Sequence, residues 1–299
     1  MRFNLTLINP ATYKYAYLLT DTCRAIAYGL RSLGHRCDLT LNVLEREATN
    51  VILGTHLLTE QDAGSIAGSG VPYIAHQSEW LFPGTGTTLV TSSFHHDQFE
   101  RVCRRFFERA DSVWEAYPEN RQLLQRFAIP PERIKHLRYQ GYHADLVDVR
   151  HRDWADKDID VLFFGSVTPR RSKVLNELAA RVKVVAVLDA PAEFRNDLIA
   201  RTKLNLNLHA GEEFHHLSLT RVCTLLNNRC AIVSEDATTH PELQELTIHA
   251  PYDRLVSTCL ESLASGDLPK LAEESFRKFQ GMPMTEALRE IVPTDAGFP

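Results

Sequence analysis

Between Asp160 and Glu235 the chain alternates short apolar runs with segments of helical spacing, and this alternation restricts the fold more than any other feature. DVLFFGS, closed by Gly165 and Ser166, leads into TPRRSKVLNELAAR, whose apolar residues recur at helical intervals. The same order returns in KVVAVLDA, in KLNLNLHAGEEFHHLSLTRVCTLLNN and in CAIVSE. Strands separated by helices form a parallel sheet, and such a sheet takes its ligands outside the carboxyl ends of its strands. Gly165, Arg170, Arg171, His209, Glu213, His216, Ser218, Arg221 and Glu235 gather at those ends.

The first half has the same grammar. RFNLTLINP reads as a strand, a helix runs from about Tyr15 to Leu33 and stops at Gly34, and CDLTLN supplies a second strand. No GxGxxG follows the first strand, so dinucleotide redox chemistry is not expected. NVILGTHLL and VPYIAHQSEWL give a third and a fourth strand, and ADSVWEAY another. His76, Gln77 and Glu79 follow the apolar run VPYIA, where a carboxylate or an imidazole is a candidate base for a hydroxyl. Asn9, Tyr13 and Tyr17 follow the first strand and are candidates to face a ligand, with packing along the helix the alternative for Tyr17. His95, His96 and Asp97 point in different directions and lack a partner at i+4, so no metal is expected there. The lone GxG of PGTGTTLV carries no signal, and Arg101, Arg104 and Arg105 alternate with acids as a solvated helix face does.

A length of 299 residues admits two domains. The texture changes at IPPERIKHLRYQGYHADLVDVRHRDWADKD, which suits a linker beginning near residue 130. The expected division is 1–155, 156–270 and a closing pair of helices at 271–299, broken at Gly281 and Pro283. A net charge of -5 gives no broad basic footprint, so a nucleic-acid partner is not favoured. The amino terminus lacks the features of a signal peptide and no long apolar run occurs, so a cytoplasmic protein without a membrane span is expected. Six cysteines without a CxxC pair read as reduced, packed thiols.

Two anion sites are expected at the ligand edge of the second half. A glycine turn into a helix exposes free N–H groups, and Arg170 and Arg171 add guanidinium forks suited to phosphate. The alternative is an internal ion pair with an acid such as Glu177. A second helix begins near Leu217 or Ser218, with Ser218 as its cap and Arg221 one turn inside. His209 and His216 would act there as neutral donors, and Glu213 as an acceptor for sugar hydroxyls.

The segments NPATYKYAYLLTD, LRSLGH, DVLFFGSVTPRRSKVLNEL, RNDLIARTKLNLNLH and RVCTLLNNRCAIVSE resemble bacterial family-1-like glycosyltransferases, the group whose C-terminal domain is also seen in spore-maturation-type proteins. The resemblance implies the α/β GT-B architecture: two Rossmann-like domains with parallel sheets facing across a cleft. A nucleotide-sugar donor would lie on the C-terminal domain and the acceptor on the N-terminal one. The resemblance further implies that no metal is required, that the nucleotide-sugar is a co-substrate in place of a cofactor, and that the last helix returns to the N-terminal domain. Many retaining relatives carry two glutamates separated by seven residues; Glu213 fits the first place, the second falls on Arg221, and Glu235 is left to hold the ribose. Transfer to a modified nucleobase or nucleic acid, sugar-nucleotide binding without turnover, and a different phosphate-binding α/β enzyme such as an epimerase are the alternatives.

Overall fold

A computed structural model describes residues 1–11, 13–80, 104–126, 129–188 and 190–292. The GxG at Gly84 and Gly86, His95, His96, Asp97, Arg101 and Cys103 lie outside the described residues. Two compact units are present: Met1–Gln140 with the segment from Met284 onward, and Gly141–Pro283.

The first unit carries six parallel strands, β1 (Arg2–Leu7), β2 (Arg36–Leu41), β3 (Thr49–Leu53), β4 (Tyr73–Gln77), β5 (Ser112–Glu115) and β6 (Ile134–His136), in the order β2-β1-β3-β4-β5-β6. β3, β4 and β5 are buried at every position, as inner parallel strands are. The chain leaves β1 toward β2 and then crosses to its other side for β3, so the carboxyl ends of β1 and β3 part at a topological switch point. The sequence places His76 and Gln77 beyond β4; both belong to the strand, which extends two residues further than the apolar run because the buried sheet continues around them. On this unit the helix Met284–Arg289 packs against Thr20–Ser32 at Gly29, where an added Cβ would meet Leu288 Cδ1 and Met284 Cγ, each at 2.6 Å.

The second unit has five parallel strands, β7 (Ile159–Phe164), β8 (Val184–Val187), β9 (Thr202–Asn207), β10 (Ile232–Glu235) and β11 (Ile248–Ala250), in the order β11-β10-β9-β7-β8. Its switch point lies between β7 and β9. One side of the core joins Val161, Phe163, Leu204, Leu206 and Val233 to Val174 and Leu178 of the helix Pro169–Ala179 and to Leu255 and Cys259 of Leu255–Ser265.

The boundary falls at 140/141, earlier than the expected 155/156, because the apparent linker is pinned to the second unit. Tyr142 N donates to Met282 O at 2.9 Å and its ring packs edge-on against Phe276. Asn227 Oδ1 accepts from His143 N at 2.9 Å, and Asn228 Oδ1 accepts from Asp148 N at 2.8 Å and Val149 N at 2.9 Å. Polar side chains at a helix end thus serve the backbone of a segment that has too little apolar periodicity to announce its partner. The helix Leu268–Gln280 buries Leu268 and Ala272 in the second core, so the return to the first unit begins at Met284 and not at 271.

Candidate functional site

The sharpest geometry lies at the β7/β9 switch point. Gly165 follows β7 with φ +139, a conformation L side chains rarely adopt, and a Cβ there would meet Arg221 Nη2 at 2.6 Å. That glycine lets the Arg221 guanidinium approach the backbone, where Nε donates to Phe164 O at 2.9 Å and Nη1 to Asn207 Oδ1 at 2.7 Å. Arg171 makes a second bridge: Nε to Leu208 O and His209 O, both 3.2 Å, Nη2 to Leu208 O at 2.7 Å, and Nη1 to Ser166 O at 2.8 Å. The two guanidinium carbons lie 5.2 Å (Arg171) and 5.1 Å (Arg221) from the Phe163 ring centroid. Both arginines therefore tie the end of β7 to the end of β9, and they come together as the sequence suggests, but at 7% and 9% exposure they sit beneath the rim instead of on it. Burial pulls the Arg171 guanidinium down to about 10.

Arg170 holds Glu235 through both Nη atoms, lies 3.7 Å above the Tyr252 ring, and accepts the Tyr252 hydroxyl on its carbonyl at 2.8 Å. Glu235 also accepts from His209 N at 2.9 Å, and His209 Nδ1 is 3.5 Å from its carboxylate. Burial works against the Glu235 anion, yet the Arg170 hydrogen bonds and His209 hold its carboxyl below the usual range. Arg170 thus pairs with Glu235 across the sheet edge and not with Glu177. Burial lowers His209 to about 4 and His216 to about 3, so both imidazoles are neutral at ordinary pH.

Ser218 occupies the N-cap position of the helix Leu219–Asn227, yet its side chain makes no capping hydrogen bond and no acid stands in the first turn. The loop before it is tied down by Leu217 N donating to Thr239 Oγ1 at 2.9 Å and Thr238 N to His215 O at 2.7 Å. The other helix start differs, since Thr168 Oγ1 accepts from Arg171 N at 3.3 Å. Glu213 is exposed, with its carboxylate folded over Gly211.

On the first unit, Glu79 is a half-buried carboxylate past β4, one third accessible, and His56 Nδ1 lies 3.4 Å from it. Gly54, at φ +76, ends β3 and starts the turn that carries His56. Tyr13 is half-buried near Glu79; burial first, then that carboxylate, raises its phenol. Asn9 N donates to Asn42 Oδ1 at 2.7 Å, and Asn42 Nδ2 donates back to Asn9 O at 2.9 Å. Tyr17 is half-buried within the short helical turn Ala16–Leu19. His76 is 2% exposed, is lowered by burial to about 4, and leaves Nδ1 without a hydrogen-bond partner among the described residues. Gln77 is fully buried and donates to Glu79 O at 3.0 Å. His76 and Gln77 therefore do not reach the strand-end surface on which Glu79 lies. His56 was legible by the same rule that drew attention to Glu79, a polar residue just past an apolar strand; Tyr252 and Asn207 carry no comparable signal.

Among the described residues no cluster of His, Cys, Asp and Glu is arranged to hold a metal ion, and no helix is long and apolar enough to cross a membrane.

No family model matches the chain. Uncharacterized protein R358 of Acanthamoeba polyphaga mimivirus is 28% identical over 126 residues, covering 40% of this chain and 45% of the relative. Uncharacterized protein L140 of the same virus is 25% identical over 145 residues, 46% of this chain and 47% of that one. The match thus spans about half the length of these two curated relatives. Over the whole chain the likeness is to solved structures. Anabaena Alr3699/HepE in complex with UDP and glucose superposes with a TM-score of 0.58 at 12% identity, covering 97% of this chain and 98% of that one. T4 phage BGT in complex with its UDP-glucose substrate gives 0.58 at 8% identity, covering 98% and 100%. With two parallel-sheet α/β units already in hand, these superpositions decide the architecture. The chain has the GT-B fold. In this GT-B chain Glu79 follows the carboxyl end of β4, and Gly165, Ser166 and His209 follow those of β7 and β9.

Proposed function

We propose that this chain is a glycosyltransferase that moves a sugar from a nucleotide-diphosphate sugar to an acceptor hydroxyl of a small molecule, glycan or protein, without a metal. The observation that carries the reading is the start of the Leu219–Asn227 helix beside the β7/β9 switch point, with its cap position unfilled by the Ser218 side chain and its first turn free of acids. A helix amino end carries roughly half a positive charge and outward N–H groups, which suit a diphosphate. UDP and UDP-glucose in the superposed HepE and BGT structures support a uridine nucleotide as the first donor to test.

In this reading the second unit holds the donor. The bond from the anomeric carbon to the diphosphate breaks, and the negative charge that builds on the leaving group is met by the helix end and by Arg170, whose side chain is 15% accessible. Arg171 and Arg221 act behind that surface, holding β7 and β9 in register and adding positive charge from beneath. The first unit supplies the acceptor side. There Glu79, beside His56, takes the proton from the attacking hydroxyl as the new bond to the anomeric carbon forms.

Turnover is tested with UDP-, GDP-, TDP- and CMP-sugars, following release of the free nucleotide, a nucleoside diphosphate from the first three and CMP from the last. Glu79→Gln is expected to lose most of kcat with the donor KM little changed, whereas Ser218→Asp, which puts a carboxylate on the anion site, is expected to raise the donor KM. Binding of a sugar nucleotide with no transfer to water or to any acceptor would favour a binding protein that lacks turnover.

A further inference from the structure

Glu115 ends β5 and is 1% exposed. Its Oε1 accepts from the Tyr117 amide at 2.8 Å and from Asn120 Nδ2 at 3.0 Å, while Oε2 is buried without a hydrogen-bond partner among the described residues. The same Asn120 Nδ2 donates to the carbonyl of Glu79 at 2.7 Å. Gln77, opposite Glu115 in the β4–β5 register, donates to that carbonyl as well. A chain of contacts therefore runs from a buried carboxyl through one amide to the backbone of Glu79.

We propose that Glu115 is a positioning residue that, through Asn120, fixes the backbone from which the Glu79 carboxylate acts. This rests on the reading of Glu79 as the acceptor-side base. An asparagine amide has two ends of opposite hydrogen-bonding character and either can face a given neighbour. An acceptor at Glu115 forces the NH2 end toward both Glu115 and Glu79, so the Glu79 carbonyl receives a donor and is held in place.

The carboxyl does this as a neutral acid. Among the described residues, the groups facing it are Gln77 on β4, His136 opposite on β6, Tyr117 and Asn120 beyond its own strand, and the Glu119 carboxylate; Glu79 itself is engaged with His56. Burial, with Glu119 adding repulsion, raises it well above the ordinary value. A proton on Oε2 leaves Oε1 as a carbonyl acceptor for two N–H donors, which is the pattern observed. Glutamine reproduces that acceptor without titrating, whereas leucine removes it.

The test has two arms on the full chain. In the first, which needs no substrate, the infrared C=O band of a protonated carboxyl is followed at pH 7 with the pH dependence of Tm. Wild type is expected to show a band that Glu115→Gln lacks. Because the folded protein keeps this proton above the pH at which the unfolded chain loses it, wild-type Tm is expected to fall relative to Glu115→Gln as pH rises above about 4.3. Absence of both signals overturns the neutral acid. In the second arm, release of UDP from UDP-glucose is measured for Asn120→Ala, Glu115→Leu and Glu115→Gln beside Glu79→Gln. Displacing the base by about 1 Å is expected to lower kcat roughly 100-fold in the first two, with donor KM unchanged, and Glu115→Gln is expected to rescue most of the loss. A silent Glu79→Gln, or a wild type inactive with every sugar nucleotide in the panel above, overturns the reading of Glu79 and this proposal with it. An inactive Glu79→Gln beside fully active Asn120→Ala and Glu115→Leu overturns this proposal alone.

Discussion

Replacing Arg171 by alanine separates a brace from a ligand contact. The side chain is 7% exposed and serves three backbone carbonyls, those of Ser166, Leu208 and His209. Alanine would leave those acceptors in a site too closed for water to reach freely. Hydrogen bonds from a charged donor contribute about 1.5–3 kcal/mol each, and the terms overlap within one side chain, so the expected loss is about 3–5 kcal/mol. For a protein of this size each kcal/mol moves Tm by about 2–4 °C, which predicts a fall of roughly 10 °C in a calorimetric or circular-dichroism melt. Arg171→Lys is expected to recover part of this, because one ammonium cannot span carbonyls on two strands as a planar fork does. An alanine variant that melts within about 2 °C of wild type but binds UDP tenfold more weakly would refute the brace and return Arg171 to the ligand surface.

Two further outcomes follow from the packing. Gly29→Val, placed where a Cβ already meets Leu288 and Met284 at 2.6 Å, is expected to lose about 1–3 kcal/mol through overpacking of the closing helix, and an unchanged Tm would show that helix to be loosely docked. His76 is lowered to about 4 by burial, so the unfolded chain takes up a proton near pH 6.5 that the folded one refuses; wild type is expected to lose about 3 kcal/mol as pH falls from 6.5 to 4, and His76→Leu to lose less, with parallel profiles as the contrary result.

The parallel sheets and their ligand edges were legible because strand–helix alternation is a local pattern that tertiary packing here does not override. Individual roles were less so. Arg170, Arg171 and Arg221 look alike in sequence, yet Arg170 meets Glu235 across 65 positions while Arg171 and Arg221 turn inward to carbonyls. Nothing local distinguishes a guanidinium aimed at a carbonyl from one aimed at a phosphate. The expected capping role of Ser218 failed informatively, since the position is right and the hydrogen bond is missing. The domain boundary was misplaced because the Asn227 and Asn228 side chains bind the 143–149 segment through its backbone groups, an interaction that needs no particular residue type on the segment itself.

Calorimetric titration of UDP into wild type and Ser218→Asp tests the anion site most directly. The wild type is expected to bind, and the variant to bind at least tenfold more weakly while melting no lower, since aspartate caps a helix at least as well as serine. Equal affinity in the two proteins, or no heat from either, would contradict a diphosphate at the head of the Leu219–Asn227 helix.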